Sequence, residues 1–230
     1  MMTKFLAIVP MLVAAHASTL CVTGTLASYE SLASGCSVGT YTFSSFGFST
    51  AGSMPAIAAS GVQVTVFNNG SLEGLTFSGP FSAGAGLSLD AFITFVVTAS
   101  SITSDTLMMT NGQETGGGSA QVAESICLGG APAPNGFCAG GTMSLGVFAN
   151  GGGTKSSATD NFAAVTSVGA SKDIILQGGT GGASMQSVTN AFPNGGGGPG
   201  GGPVPEPGTS VLLSSGLLVS ALWLRRRRSA

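Results

Sequence analysis

The side chains able to do chemistry are few. The single histidine, His16, lies close to the N-terminus. Cysteines stand at 21, 36, 127 and 138. Carboxylates are scattered singly: Glu30, Glu73, Asp90, Asp105, Glu114, Glu124, Asp160, Asp173 and Glu206. Between Ser18 and Gly208 the cations are Lys155 and Lys172 alone. A chain that loses its first 17 residues has no imidazole. It then has no Ser-His-Asp or Cys-His pair and no histidine ligand for a metal. Zinc is disfavoured further, since no Cys-x-x-Cys spacing occurs. The aspartates form no Asp-x-Asp-x-Asp-Gly loop, so nothing supports calcium. Two carboxylates can hydrolyse a glycoside, but the spacing picks out no pair. Gly151 to Ser156 (GGGTKS) lacks the glycine directly before lysine that a phosphate loop needs, and no helix follows it, so a hairpin turn is expected. Asn69-Gly70-Ser71 fits a glycosylation acceptor and is read as a plain turn. The reading is a non-enzymatic chain with no cofactor.

The four cysteines read as disulfides. An even number in an exported chain is the pattern of an oxidising compartment. Three pairings are possible. The local one, Cys21–Cys36 with Cys127–Cys138, is favoured because each pair brackets a short turn-rich segment. Pro132, Pro134 and Asn135-Gly136 supply the turn in the second.

Export itself is read from the N-terminus. Lys4 gives a positive start, Phe5 to Val13 (FLAIVPMLV) an apolar run, and Ala15-His16-Ala17 a small-x-small cleavage site. Residues 1–17 are a signal peptide, and the mature chain begins at Ser18. Leu20 directly before Cys21 argues against a lipoprotein. The partners implied are the Sec translocon and signal peptidase. The mature body is acidic, which argues against nucleic acid.

The C-terminus has three parts in order: Val204-Pro205-Glu206-Pro207-Gly208, an apolar run from Thr209 to Leu224, and Arg225, Arg226, Arg227 and Arg228. The prolines hold an extended segment that displays one carboxylate. Thr209 or Ser210 can cap a helix over 209–224. Its 16 residues span roughly 24 Å as a helix, short of the ~30 Å hydrocarbon core. Trp223 suits the interface, and the arginines act as a membrane stop on the cytoplasmic side.

This tail resembles the PEP-CTERM sorting signal of exported Gram-negative proteins, a tail family also catalogued as an ice-binding protein C-terminal domain. The resemblance covers only about 26 residues. The motif falls on Pro205, Glu206 and Pro207 and the basic end on Arg225 to Arg228. It implies recognition by a membrane-embedded exosortase, a transpeptidase-like cysteine enzyme, and cleavage near the motif. It also implies a setting of exopolysaccharide and biofilm. The expected location is transient tethering in the inner membrane, then the cell surface or extracellular matrix.

The elements that must carry all this are strands. Charged residues make up 7% of the chain, and glycine supplies 38 of 230 residues. This low charge is unlike a disordered chain and suits a β-rich exported one. Val62 to Phe67 alternates, and Asn68-Asn69-Gly70 turns. Tyr41/Phe43 and Phe46/Phe48 alternate in opposite phases, so Ser44-Ser45 predicts a bulge. Leu87 to Ala99 is apolar on both faces and is placed centrally, with Ile102 to Met109 returning beside it. Further strands are expected over Ala120–Leu128, Met143–Ala149, Ala163–Val168, Lys172–Gln177 and Ala183–Asn190. Many short strands without intervening helices predict an all-β fold, a single β-sandwich or jelly-roll-like domain over 18–193. Residues 194–203 (NGGGGPGGGP) form a flexible linker, and 204–230 the sorting signal with its transmembrane helix.

Three functions fit this reading. The first is a structural or adhesive protein of the envelope or matrix. The second is a carbohydrate-binding module for matrix polysaccharide, which needs aromatic side chains on one exposed face. The third is a carboxylate-dependent hydrolase, which needs acidic side chains gathered in one cleft. No regular Thr-x-Thr ladder appears, so ice binding ranks last.

Overall fold

The computed structural model describes residues 19–133, 138 and 142–194. Ala15, Ala17 and Ser18, the linker beyond Asn194, the Pro205-Glu206-Pro207 motif, the 209–224 span and Arg225 to Arg228 lie outside the described residues, as do Pro134 and Asn135-Gly136. Among the described residues no helix is long and apolar enough to cross a membrane.

Strand formation follows the alternation of apolar side chains almost everywhere. The chain begins with β1 (Thr19–Leu20), β2 (Gly24–Thr25) and one short helix, α1 (Leu26–Glu30). Thr25 caps that helix by accepting from the Ser28 amide. Then come β3 (Cys36–Val38), β4 (Tyr41–Gly52), β5 (Gln63–Asn68), β6 (Leu72–Ser78), β7 (Ser82–Gly84) and β8 (Ser88–Thr110). β9 (Gln113–Thr115), β10 (Ser119–Leu128), β11 (Thr142–Asn150) and β12 (Gly153–Lys155) follow. β13 (Ser157–Gln177), β14 (Gly182–Ser184) and β15 (Ser187–Pro193) complete the described chain.

The bulge expected at Ser44-Ser45 is present: the β4–β8 register shifts between Ser44 and Gly47, and Ser45 has φ 55°. The turn after Asn68 is held by the Asn68 and Asn69 side chains, which accept from the amides of Gly70, Ser71 and Leu72.

Three expectations need correction. The strand expected over Ala183–Asn190 is two, β14 and β15, which belong to different sheets. Ile102 to Met109 does not return beside Leu87 to Ala99; both belong to β8, 23 residues long. Ala163–Val168 and Lys172–Gln177 are likewise one strand, β13. These two long strands pair with each other along their lengths, with register shifts between Asn161 and Ser167. On one side of those shifts, Thr42 to Gly52 of β4 flanks the first half of β8, and β10 flanks the second half of β13. On the other side, β15 flanks the second half of β8, with β6 and β5 beyond it.

The ribbon of β8 and β13 therefore runs through two layers. The first is β12-β11-β10-β13-β8-β4-β3, with β1 beside β3. The second is β13-β8-β15-β6-β5-β2. Ring contacts mark where the layers face each other. Phe95 of β8 stacks on Phe77 of β6 at 5.6 Å between centroids. Tyr41 and Phe43 of β4 meet Phe192 of β15 at 5.3 and 6.2 Å. Phe43, Phe77, Phe81, Phe95 and Phe192 are all fully buried, and a ring of that kind buries roughly 150–250 Å². This is the β-sandwich expected of the body. A second, small sheet, β7-β14-β9, is not hydrogen-bonded to it but joins the same core through Ala83 and Ala183.

Candidate functional site

Both disulfides have the local pairing. Cys21 bonds Cys36 and Cys127 bonds Cys138, with Cα–Cα distances of 4.8 and 5.1 Å, inside the range a disulfide spans. The first fastens the segment before α1 to β3. The second fastens the end of β10 to Cys138, ahead of β11 in the chain. No free cysteine is present among the described residues. Bonds of this kind belong to an extracellular or periplasmic protein.

Two polar constellations emerge from the strands, and neither was picked out by spacing in the sequence. The first lies on the outer surface of the first layer. Directly paired residues share a face. Ser49 of β4 pairs with Phe92 of β8, which pairs with Asp173 of β13. One row on, Ala51 pairs with Asp90, which pairs with Ile175. Small side chains at 49 and 51 leave a shallow groove lined by Ser49, Thr50, Ala51, Asp90, Phe92 and Asp173. Asp173 is pushed up to about 6, first by burial and then by the charge and hydrogen bond of Asp90. Asp173 therefore keeps its proton into the mildly acidic range.

The second constellation is internal. Lys172 of β13 and Glu124 of β10 are direct cross-strand partners in the first layer, and both point into the core. Asp105 of β8 and Asn190 of β15 point in from the second layer. Lys172, Asp105 and Asn190 are wholly buried and Glu124 is 1% exposed. The Lys172 Nζ donates to Glu124 Oε1 in an ion pair. The Asn190 Nδ2 donates to Asp105 Oδ1 and lies 3.5 Å from Glu124 Oε2. The Lys172 Nζ also sits 4.7 Å from the centre of the Phe95 ring. Burial pushes the Asp105 carboxyl well above the usual carboxylate range, and the charge of Glu124 adds to this; Lys172 and Asn190 oppose it. Burial raises Glu124 as well, against the lowering effect of Lys172. Asp105 Oδ2 and Asn190 Oδ1 have no hydrogen-bond partner.

The sequence did carry a signal for the internal cluster. Glu124 stands in phase with Ala120, Val122 and Ile126. Asn190 stands in phase with Val188 and Phe192, and Lys172 with Ala170 and Ile174. Each occupies a core position of its own alternating strand. Among the described residues, no group of three or more His, Cys, Asp or Glu could hold a metal ion.

A further feature escaped sequence reading. Threonine hydroxyls meet across strands: Thr76 with Thr189 at 2.8 Å and Thr106 with Thr159 at 2.9 Å. These are two separate cross-strand pairs, and such pairs leave no Thr-x-Thr repeat along any one strand.

No family model and no curated protein matches the chain. Among solved structures, TmCBM61 in complex with beta-1,4-galactotriose is similar at TM-score 0.33 and 12% identity, over 62% of this chain and 86% of that one. A structure from work on the promiscuous specificity of carbohydrate-binding modules of the β-sandwich superfamily gives TM-score 0.28 and 8% identity, over 77% and 62%. The enzymatically active domain of bacteriophage CBA120 tailspike protein 4 gives TM-score 0.31 and 14% identity, over 64% of this chain and 19% of that one. Similarity at this level assigns no function.

Proposed function

We propose that this chain is an exported, non-enzymatic structural or adhesive protein of the cell envelope or extracellular matrix, delivered through a sorting tail processed by an exosortase. The observation that supports it is the pair of local disulfides in a sandwich with few charged side chains, a combination suited to life outside the cytoplasm. The test is the location and intact mass of the native protein beside a Pro205→Ala/Glu206→Ala/Pro207→Ala variant. The expected wild type starts at Ser18, lacks Arg225 to Arg228 and is released, while the variant stays in the membrane fraction. Identical behaviour of the two, with the tail intact, makes 209–224 a permanent anchor instead.

A second reading, attachment to matrix polysaccharide, is favoured by the groove over Phe92. An aromatic ring offers a stacking face to a sugar, and two neighbouring carboxyls offer acceptors to its hydroxyls. The same pair is the gathering of carboxyls in one cleft that a carboxylate-dependent hydrolase needs, but its spacing differs. Glycosidase carboxyls stand roughly 5–9.5 Å apart to flank the bond they cleave, whereas Asp90 and Asp173 are hydrogen-bonded to each other. Phe92→Ala is expected to lower retention on purified exopolysaccharide about tenfold, the equivalent of about 1.4 kcal/mol. Equal retention of both proteins rules the groove out as the attachment point.

A further inference from the structure

Burying a lysine, two carboxyls and a carboxamide together in an apolar core is costly unless every group is paired. Here the pairing is incomplete, since Asp105 Oδ2 and Asn190 Oδ1 are left without partners. The arrangement is better suited to a reaction than to an ion pair. Glu124 stands between an amine and an amide: one of its oxygens takes the Lys172 Nζ, and the other lies 3.5 Å from the Asn190 Nδ2. Asp105 holds the same carboxamide from its other side. The Phe95 ring and the surrounding apolar side chains keep water from competing as nucleophile.

We propose that Lys172 and Asn190 become joined by an intramolecular amide bond, with Glu124 as the proton relay. A proton passes from Nζ to Glu124 Oε1, which removes both charges from the interior and frees the amine lone pair. The amine attacks Cγ of Asn190, and the new N–C bond forms as the carbonyl opens to a tetrahedral centre. Glu124 returns a proton from Oε2 to Nδ2, the Cγ–Nδ2 bond breaks, and ammonia leaves. Of the two hydrogens still on Nζ, one passes to the Glu124 carboxylate, which ends neutral, and the other becomes the amide N–H. Amine plus carboxamide gives secondary amide plus ammonia, with no oxidant, metal or cofactor. Asp105 is a positioning residue: it accepts from the carboxamide and so orients it, and burial favours the neutral form of its own carboxyl. The product would tie β13 of one layer to β15 of the other.

Trypsin tests this directly, because Lys155 and Lys172 are the only tryptic sites between Lys4 and Arg225. The purified full chain is denatured, reduced, digested and weighed. The expected map shows cleavage after Lys155 but not after Lys172. The fragment starting at Ser156 runs through both linked residues and is lighter than its sequence by one ammonia. In Glu124→Gln, cleavage after Lys172 returns and the fragments have full mass. Cleavage after Lys172 in the wild type, at full mass, overturns the proposal. So does loss of one water with a fragment from before Lys155 attached, since that places the bond on Glu124 or Asp105. If Glu124→Gln does not fold, the wild-type map alone decides.

Discussion

At the residue scale, Asp173 is the group whose titration is open to measurement. Its carboxyl is held at about 6, above the unfolded value near 3.9. The native state therefore binds the proton more tightly than the unfolded chain. The stability this contributes is complete below about pH 4 and is lost as pH rises through 6. Asp173→Asn should remove that slope and leave the protein more stable at neutral pH, by about 1 kcal/mol once the half-exposed carboxyl is discounted for solvent screening. Denaturant midpoints at pH 4 and pH 7 check it; an unchanged pH slope in the variant would show that another group carries it. Neither Asp173 nor its partner Asp90 was legible as a pair from the sequence. They lie on different strands, and only the β8–β13 register brings them to one face. Lys172, Glu124 and Asn190 were more nearly legible, because each breaks an apolar phase. Sequence alone does not bring them together, because they stand on three different strands, β13, β10 and β15.

At the element scale, most strands were readable from period-two alternation, and β5, β10 and β11 fall within two residues of their expected bounds. β14 and β15 were misread as one strand, and β8 and β13 were each taken as two. The physical reason is the change of layer. Around Ser100-Ser101 the chain leaves one core face and joins another, so the alternation lapses over a polar doublet and looks like a turn. The backbone continues because β13 makes the same passage beside it. Closer packing governs β6 and β15. A methyl group added at Gly74 would fall on the Asn190 carbonyl oxygen of the neighbouring strand. Gly74→Ala should therefore cost about 1–3 kcal/mol, the usual penalty for overpacking, read as a lower denaturant midpoint. No loss would mean that β6 and β15 can separate locally without harm. The short helix α1 escaped sequence reading because five residues cannot display a 3.6 period.

At the scale of the whole molecule, the fold class and both disulfide pairings were legible, since low charge, many turns and bracketing cysteines admit few alternatives. The pairing of layers was not, because it depends on contacts far apart in sequence, such as Tyr41 with the Pro193 carbonyl. Release of the Pro205-Glu206-Pro207 variant from the membrane would count against the delivery route, yet leave this sandwich unaffected. β15 is the last strand of the described chain, and it lies between β6 and β8, antiparallel to both. A force pulling at the C-terminal side thus enters along a strand clamped on two flanks. Its ladder hydrogen bonds stand across the direction of pull and must shear together, where an edge strand would peel away one bond at a time. The body is built to resist traction from that end.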